Sequence, residues 1–128
     1  MSARVVLVVE DNEQNMELAT YLLEEAGFEV QQATSPDEAR RALARQRPDL
    51  VLMDMSLGGV DGLSIVAELR RKPELAPLPI LALTAHAMRG DRERFLQGGC
   101  DGYIPKPIDV KTFVREIEAA LARGHGDS

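Results

Sequence analysis

Val5-Val6-Leu7-Val8-Val9-Glu10-Asp11 and Leu50-Val51-Leu52-Met53-Asp54 are two versions of one pattern: a short, uninterrupted apolar run that stops on carboxylates. Such a run, rich in β-branched residues in the first case, is expected of a parallel strand buried on both faces. In an open α/β sheet, ligand and catalytic groups gather beyond the carboxyl ends of the strands, where the strand order reverses. Two buried strands that end in acids therefore bring Glu10, Asp11 and Asp54 to one pocket. Three carboxylates together need a counter-charge, and a hard divalent cation such as Mg²⁺ supplies it through oxygen ligands.

Outward from these runs, the chain alternates between helix and strand patterns. Residues 13–26 read as a helix capped by Gly27, and residues 28–33 as a second strand. Ser35-Pro36-Asp37-Glu38 is a helix start, with Ser35 as N-cap, Pro36 in the first turn and Glu38 completing a capping box. Residues 54–61 form a Gly-rich loop, in which the paired Gly58 and Gly59 predict loose backbone. A helix over residues 62–72 turns Ile65, Val66 and Leu69 inward. Residues 80–83 make a fourth strand with Thr84 at its carboxyl end, and residues 89–97 a helix stopped by Gly98-Gly99. Residues 102–104 are a short fifth strand closed by Pro105-Lys106-Pro107. Asp109 is expected to cap the last helix, whose apolar residues Val110, Phe113, Val114, Ile117 and Leu121 follow helical spacing.

Five strands alternating with five helices predict an α/β fold, a five-stranded parallel doubly wound sheet of order 2-1-3-4-5, flavodoxin-like in plan. Thr84 and Lys106 then share the edge that carries the acids. At 128 residues the chain fits one domain, residues 1–123, followed by a polar tail over 124–128. A net charge of −6 argues against nucleic acid and membrane surfaces as partners, since both favour basic proteins. The single cysteine, Cys100, forms no internal disulfide. The start lacks a signal-peptide pattern and no apolar run is long enough to span a bilayer, so a soluble, cytoplasmic protein is expected.

The constellation resembles the receiver domain of response regulators, the CheY-like proteins of two-component phosphorelays, from about residue 4 to residue 123. It is carried by Val9-Glu10-Asp11-Asn12, the lone Asp54, Asp61-Gly62, Leu83-Thr84-Ala85-His86-Ala87 and Tyr103-Ile104-Pro105-Lys106-Pro107. The resemblance implies that Asp54 accepts a phosphoryl group from a histidine kinase or a histidine phosphotransfer protein. It implies Mg²⁺ bound by Asp11, Asp54 and the backbone carbonyl of Ser56, with Glu10 acting through a metal-bound water. Lys106 and the Thr84 hydroxyl would contact phosphoryl oxygens, Tyr103 would be a rotamer switch coupled to Thr84, and Lys106-Pro107 would be cis. Each residue type suits the chemistry. Phosphoryl transfer spreads charge over the equatorial oxygens, so positioning and neutralisation dominate, and a carboxylate is a competent nucleophile. The formal charges of three carboxylates, one lysine and one Mg²⁺ cancel.

The resemblance further implies a signalling protein rather than a turnover enzyme, one that promotes its own phosphorylation and dephosphorylation. Its output would pass through protein contacts on the face of the fourth helix, fifth strand and fifth helix. Helical spacing places Met16, Ala19, Leu22, Leu23 and Ala26 on the core side of the first helix, and leaves Leu18 and Tyr21 exposed as a kinase-docking patch. Two alternatives stand beside a free-standing regulator: a receiver excised from a hybrid histidine kinase, and an aspartate-nucleophile Mg²⁺ phosphatase. The latter would want a second acid where Ser56 stands.

Overall fold

β-branched and aliphatic runs with no polar face can only be satisfied inside a sheet covered on both sides, and that is where they lie. The computed structural model describes residues 3–85 and 90–124. Its elements, in chain order, are β1 (Val5–Val9), α1 (Glu13–Glu25), β2 (Glu29–Ala33), α2 (Pro36–Arg45), β3 (Leu50–Asp54), β4 (Ser56–Leu57), β5 (Val60–Asp61), α3 (Gly62–Arg70), β6 (Ile80–Thr84), α4 (Asp91–Gln97), β7 (Gly102–Pro105) and α5 (Phe113–Arg123). The main sheet has the order β2-β1-β3-β6-β7 with every pair parallel, which is the expected topology. β1, β3 and β6 are buried along their whole length. Leu7, Val9 and Met53 face Ile65, Leu69 and Phe95 on one side of the sheet. Val6, Val8 and Leu52 face Met16, Leu23 and Phe113 on the other.

Several local expectations are corrected. The segment after Asp54 is not an open loop. Ser56 and Leu57 pair antiparallel with Asp61 and Val60, and Gly58 and Gly59 make a two-residue turn at φ +54° and +82°. Positive φ at both positions is what a type I′ hairpin turn requires, so the glycines define this segment rather than loosen it. Glu38 does not reach back to Ser35. Its Oε1 accepts from the N–H of Thr34 at 2.7 Å and from the Thr34 hydroxyl at 2.8 Å, while Ser35 caps the helix by accepting from the Glu38 N–H. Asp109 caps a turn that precedes α5, accepting from the Lys111 N–H, and the helix begins at Phe113. Val110 consequently lies outside the helical stripe and is 56% exposed. On α1, Met16, Ala19 and Leu23 are buried, but Ala26 is an exposed C-cap residue. The expected start of the fourth helix at Arg89, and residues 86–88, lie outside the described residues, as do residues 125–128 of the tail.

A second polar cluster holds the flank between α3, α4 and β7. Arg70, on the last turn of α3, donates to the carbonyls of Ala76, Leu78 and Gly99 and to Asp101 Oδ2 at 3.0 Å. Asp101 Oδ2 also accepts from the Ile80 N–H at 2.8 Å. Cys100 is buried beside this cluster, and burial pushes its thiol up to about 12.

Candidate functional site

Parallel register sets the site. Val9 lies opposite Met53 and Asp54 opposite Leu83, so the residues that follow β1, β3 and β6 emerge at one level. Glu10 is fully enclosed and Asp54 is 1% exposed, whereas Asp11, one residue further on, is exposed at the mouth. One oxygen from each of Glu10, Asp11 and Asp54 lies within 4.8 Å of the others. Lys106 enters from the end of β7, its backbone held by a 2.7 Å hydrogen bond from its N–H to the Thr84 carbonyl. Its ammonium donates to Asp54 Oδ1 at 3.0 Å and lies 3.1 Å from Glu10 Oε1, off hydrogen-bond geometry. The Lys106-Pro107 peptide is cis, as expected.

Burial pushes Glu10 above the ordinary carboxylate range, with Asp54 adding to the rise, against the Asn12 N–H that donates to its Oε2 at 3.0 Å. Burial works the other way on Lys106, but its hydrogen bond to Asp54 and the charges of Asp54 and Glu10 outweigh it and hold the ammonium above its usual value. Desolvation pushes Asp11 up, but its hydrogen bonds together outweigh it and hold the carboxyl below its ordinary range. The N–H of Gly58 donates to its Oδ2 at 2.8 Å and lowers it. Asp54 Oδ1 accepts from both Lys106 and the Ser56 N–H, yet Asp54 Oδ2 is buried with no hydrogen-bond partner. An orphaned carboxylate oxygen in an all-oxygen donor set beside two further acids fits a hard divalent cation such as Mg²⁺.

Gly62 explains the Asp61-Gly62 pair. A Cβ there would sit 2.6 Å from the Asp54 carbonyl oxygen and 2.9 Å from the Met55 Cα, so only glycine lets α3 start against the end of β3. Thr84 is buried at the end of β6, across from Pro105. Tyr103 is half-buried, with its ring centroid 6.4 Å from that of Phe95. Residues 86–87 of the Thr84 motif are outside the described residues. The α1 patch is divided. Tyr21 is 61% exposed, but Leu18 is half-buried, contrary to expectation, because it packs against the core cluster that α1 shares with the sheet and α5. Sequence reading missed the Gly58–Asp11 bond. Two adjacent glycines between Ser56-Leu57 and Val60-Asp61 were the signal that could have found it.

The response regulator receiver domain family matches residues 6–118. This chain belongs to that family. It is similar to the polar-differentiation response regulator DivK of Brucella anthropi, with 45% identity over 91% of this chain and 94% of that one. Among solved structures it resembles the receiver domain of the sensor histidine kinase PA1611 from Pseudomonas aeruginosa, which holds a magnesium ion in its active-site cleft. That likeness has a TM-score of 0.84 and 35% identity, covering 94% of this chain and 99% of that one. The chemotaxis response regulator CheY4 of Vibrio cholerae shares the fold, with a TM-score of 0.87 at 24% identity over 93% of this chain and 99% of that one. The chain is thus a receiver domain of two-component signalling, and a phosphatase or hybrid-kinase origin is not favoured. Among the described residues, no helix of this receiver is long and apolar enough to cross a membrane.

Proposed function

We propose that Asp54 is the phospho-acceptor of this receiver. The observation that carries the reading is an enclosed Asp54 carboxylate with one oxygen tethered by Lys106 and the other left without a partner. One Asp54 oxygen forms a bond to phosphorus while the phosphorus–nitrogen bond of a phosphohistidine breaks, leaving an acyl phosphate on Asp54 and a free imidazole on the donor. Asp11, Asp54 and the Ser56 carbonyl would hold Mg²⁺, with Glu10 acting through a bound water. When bound, the ion neutralises the carboxylates and draws charge from the phosphoryl oxygens. Lys106 supplies fixed positive charge to one phosphoryl oxygen, and the Thr84 hydroxyl donates to another.

The phosphoryl group adds about −1.5 to −2 of charge. Thr84 drawn inward would vacate space for Tyr103, a discrete rearrangement that suits a switch. The readout face is then α4, β7 and α5, where a groove of about 900 Å³ runs past Arg92, Leu96, Tyr103, Ala119 and Arg123 to meet a downstream protein. The donor, a histidine kinase or histidine phosphotransfer protein, docks on α1 through Tyr21 and the exposed part of Leu18. The protein acts in the cytoplasm, and it accelerates its own phosphorylation and dephosphorylation without turning over a separate substrate.

The test is chemical. Asp54→Asn should keep the fold and abolish Mg²⁺-dependent labelling by acetyl phosphate, and undiminished labelling would remove the assignment. Tyr21→Ala should slow transfer from a phosphorylated kinase while leaving acetyl phosphate labelling intact. Equal loss in both assays would show damage to the fold instead.

A further inference from the structure

The two edges of the sheet are guarded differently. β7, at one edge, ends in Pro105, which has no N–H to offer a neighbour. β2, at the other, reads Glu29-Val30-Gln31-Gln32-Ala33, with no proline, no lysine and its one charge at the first position. The Glu29 N–H donates to the Arg4 carbonyl at 2.9 Å, and the Ala33 carbonyl accepts from the Glu10 N–H at 3.0 Å. Residues 29, 31 and 33 therefore turn their backbone towards β1, and the N–H and C=O of Val30 and Gln32 point away from it. Such an edge is a template for one more strand.

Beside this edge runs a groove of about 550 Å³ between Gln32 and the α2 residues Glu38, Arg41, Ala44 and Arg45. The Glu38 carboxylate is taken up by Thr34. Arg41 and Arg45, one helical turn apart, are exposed, and neither lies within ion-pair distance of a carboxylate among the described residues. Like charges at this spacing weaken a helix slightly. Arg41 feels the Glu38 carboxylate only at longer range, and leaving both arginines without a contact ion pair in a chain of net charge −6 suits a counter-charge brought from outside.

We propose that the β2 edge and the α2 groove bind an extended acidic segment of a partner protein. The segment adds a strand alongside β2, bonding the backbone of Val30 and Gln32, and its alternate side chains place carboxylates on Arg41 and Arg45. Backbone pairing supplies affinity and the two guanidinium groups supply selectivity. The surface is independent of the chemistry at Asp54.

The probe is a fluorescein-labelled octapeptide of four Glu-Thr repeats, followed by anisotropy and by the amide resonances of Val30 and Gln32. The wild-type chain should bind it saturably and shift both resonances, and a Lys-Thr octapeptide should not bind. Arg41→Gln with Arg45→Gln keeps good helix formers on an exposed face, and should bind at least about tenfold more weakly, as expected for lost charge-assisted hydrogen bonds. The Glu-Thr peptide N-methylated at alternate residues should lose binding to the wild-type chain as well. No saturable binding of the Glu-Thr peptide would overturn the proposal, as would equal binding by the double variant or by the N-methylated peptide.

Discussion

The two buried polar clusters of this receiver are built on opposite principles. Around Arg70, the charged side chain is spread over three carbonyls and one carboxylate, and the partner Asp101 also holds a backbone N–H of β6. Around Asp54, three carboxylates crowd together, only Glu10 and Asp54 lie within ion-pair distance of the Lys106 ammonium, and two buried carboxylate oxygens, Glu10 Oε1 and Asp54 Oδ2, make no hydrogen bond. A satisfied network rigidifies, whereas a partly satisfied one stores the need for another ligand. Among the described residues one further buried side-chain oxygen, Gln31 Oε1 on β2, makes no hydrogen bond, and it carries no charge. The difference separates a corner that holds the fold from a corner that waits for chemistry.

Perturbing the two should therefore give opposite signs. The largest effect belongs to Arg70→Met, which removes the cation shared by Asp101 and three carbonyls and should cost about 3 kcal/mol or more, lowering Tm by roughly 10 °C in thermal unfolding. A loss under about 0.5 kcal/mol would erase the distinction between a saturated cluster and an ordinary surface pair. Next, Mg²⁺ should stabilise the wild-type chain by about 2.7 kcal/mol at a hundred times its dissociation constant. Calorimetry with and without the ion reads this directly, and an unchanged Tm would show that the acidic corner lacks nothing.

A smaller gain is expected where the charge crowding is relieved by substitution. Asp54→Asn keeps an acceptor for Lys106 and removes one of three like charges, so in the absence of divalent ions it should stabilise the fold by about 1 kcal/mol. Destabilisation by that variant would mean the Asp54–Lys106 ion pair outweighs the repulsion. The smallest test bears on the hairpin that reaches the acidic corner. A Cβ at Gly58 meets nothing closer than Asp11 Oδ2 at 3.9 Å, so Gly58→Ala should cost only the left-handed backbone penalty of about 1 kcal/mol. Its Mg²⁺ affinity should stay near wild type, because the N–H to Asp11 remains. Loss of Mg²⁺ affinity would show that the hairpin holds the acid by more than that one bond.

What the sequence displayed most clearly were features written in contiguous residues. Val5–Val9 and Leu50–Met53 announce buried strands, and the strand-end rule alone carries Glu10, Asp11, Asp54 and Lys106 to one pocket. Features that depend on a partner distant in sequence were not displayed. Nothing in the local pattern of Arg70 marks it as a hub, because its acceptors lie on loops whose path only the folded chain fixes. Leu18 misled for a similar reason. Its helical angle is right, but Leu18 packs against a cluster drawn from the sheet and α5 as well as α1, so the periodicity of one helix overstates its exposure. Val110 failed because helical spacing was extended through a turn that Asp109 caps ahead of the helix.

Cys100 gives the saturated corner its own clock. The thiol is 4% exposed and its ionisation is pushed up to about 12, so in the closed state it is neither reachable nor nucleophilic at neutral pH. Modification by a thiol reagent consequently counts openings of the corner rather than collisions with the surface. Because the residue lies on the short connection between α4 and β7, its labelling rate reports how often those elements part from α3, and a comparison before and after acetyl phosphate treatment measures how far events at Asp54 are felt there.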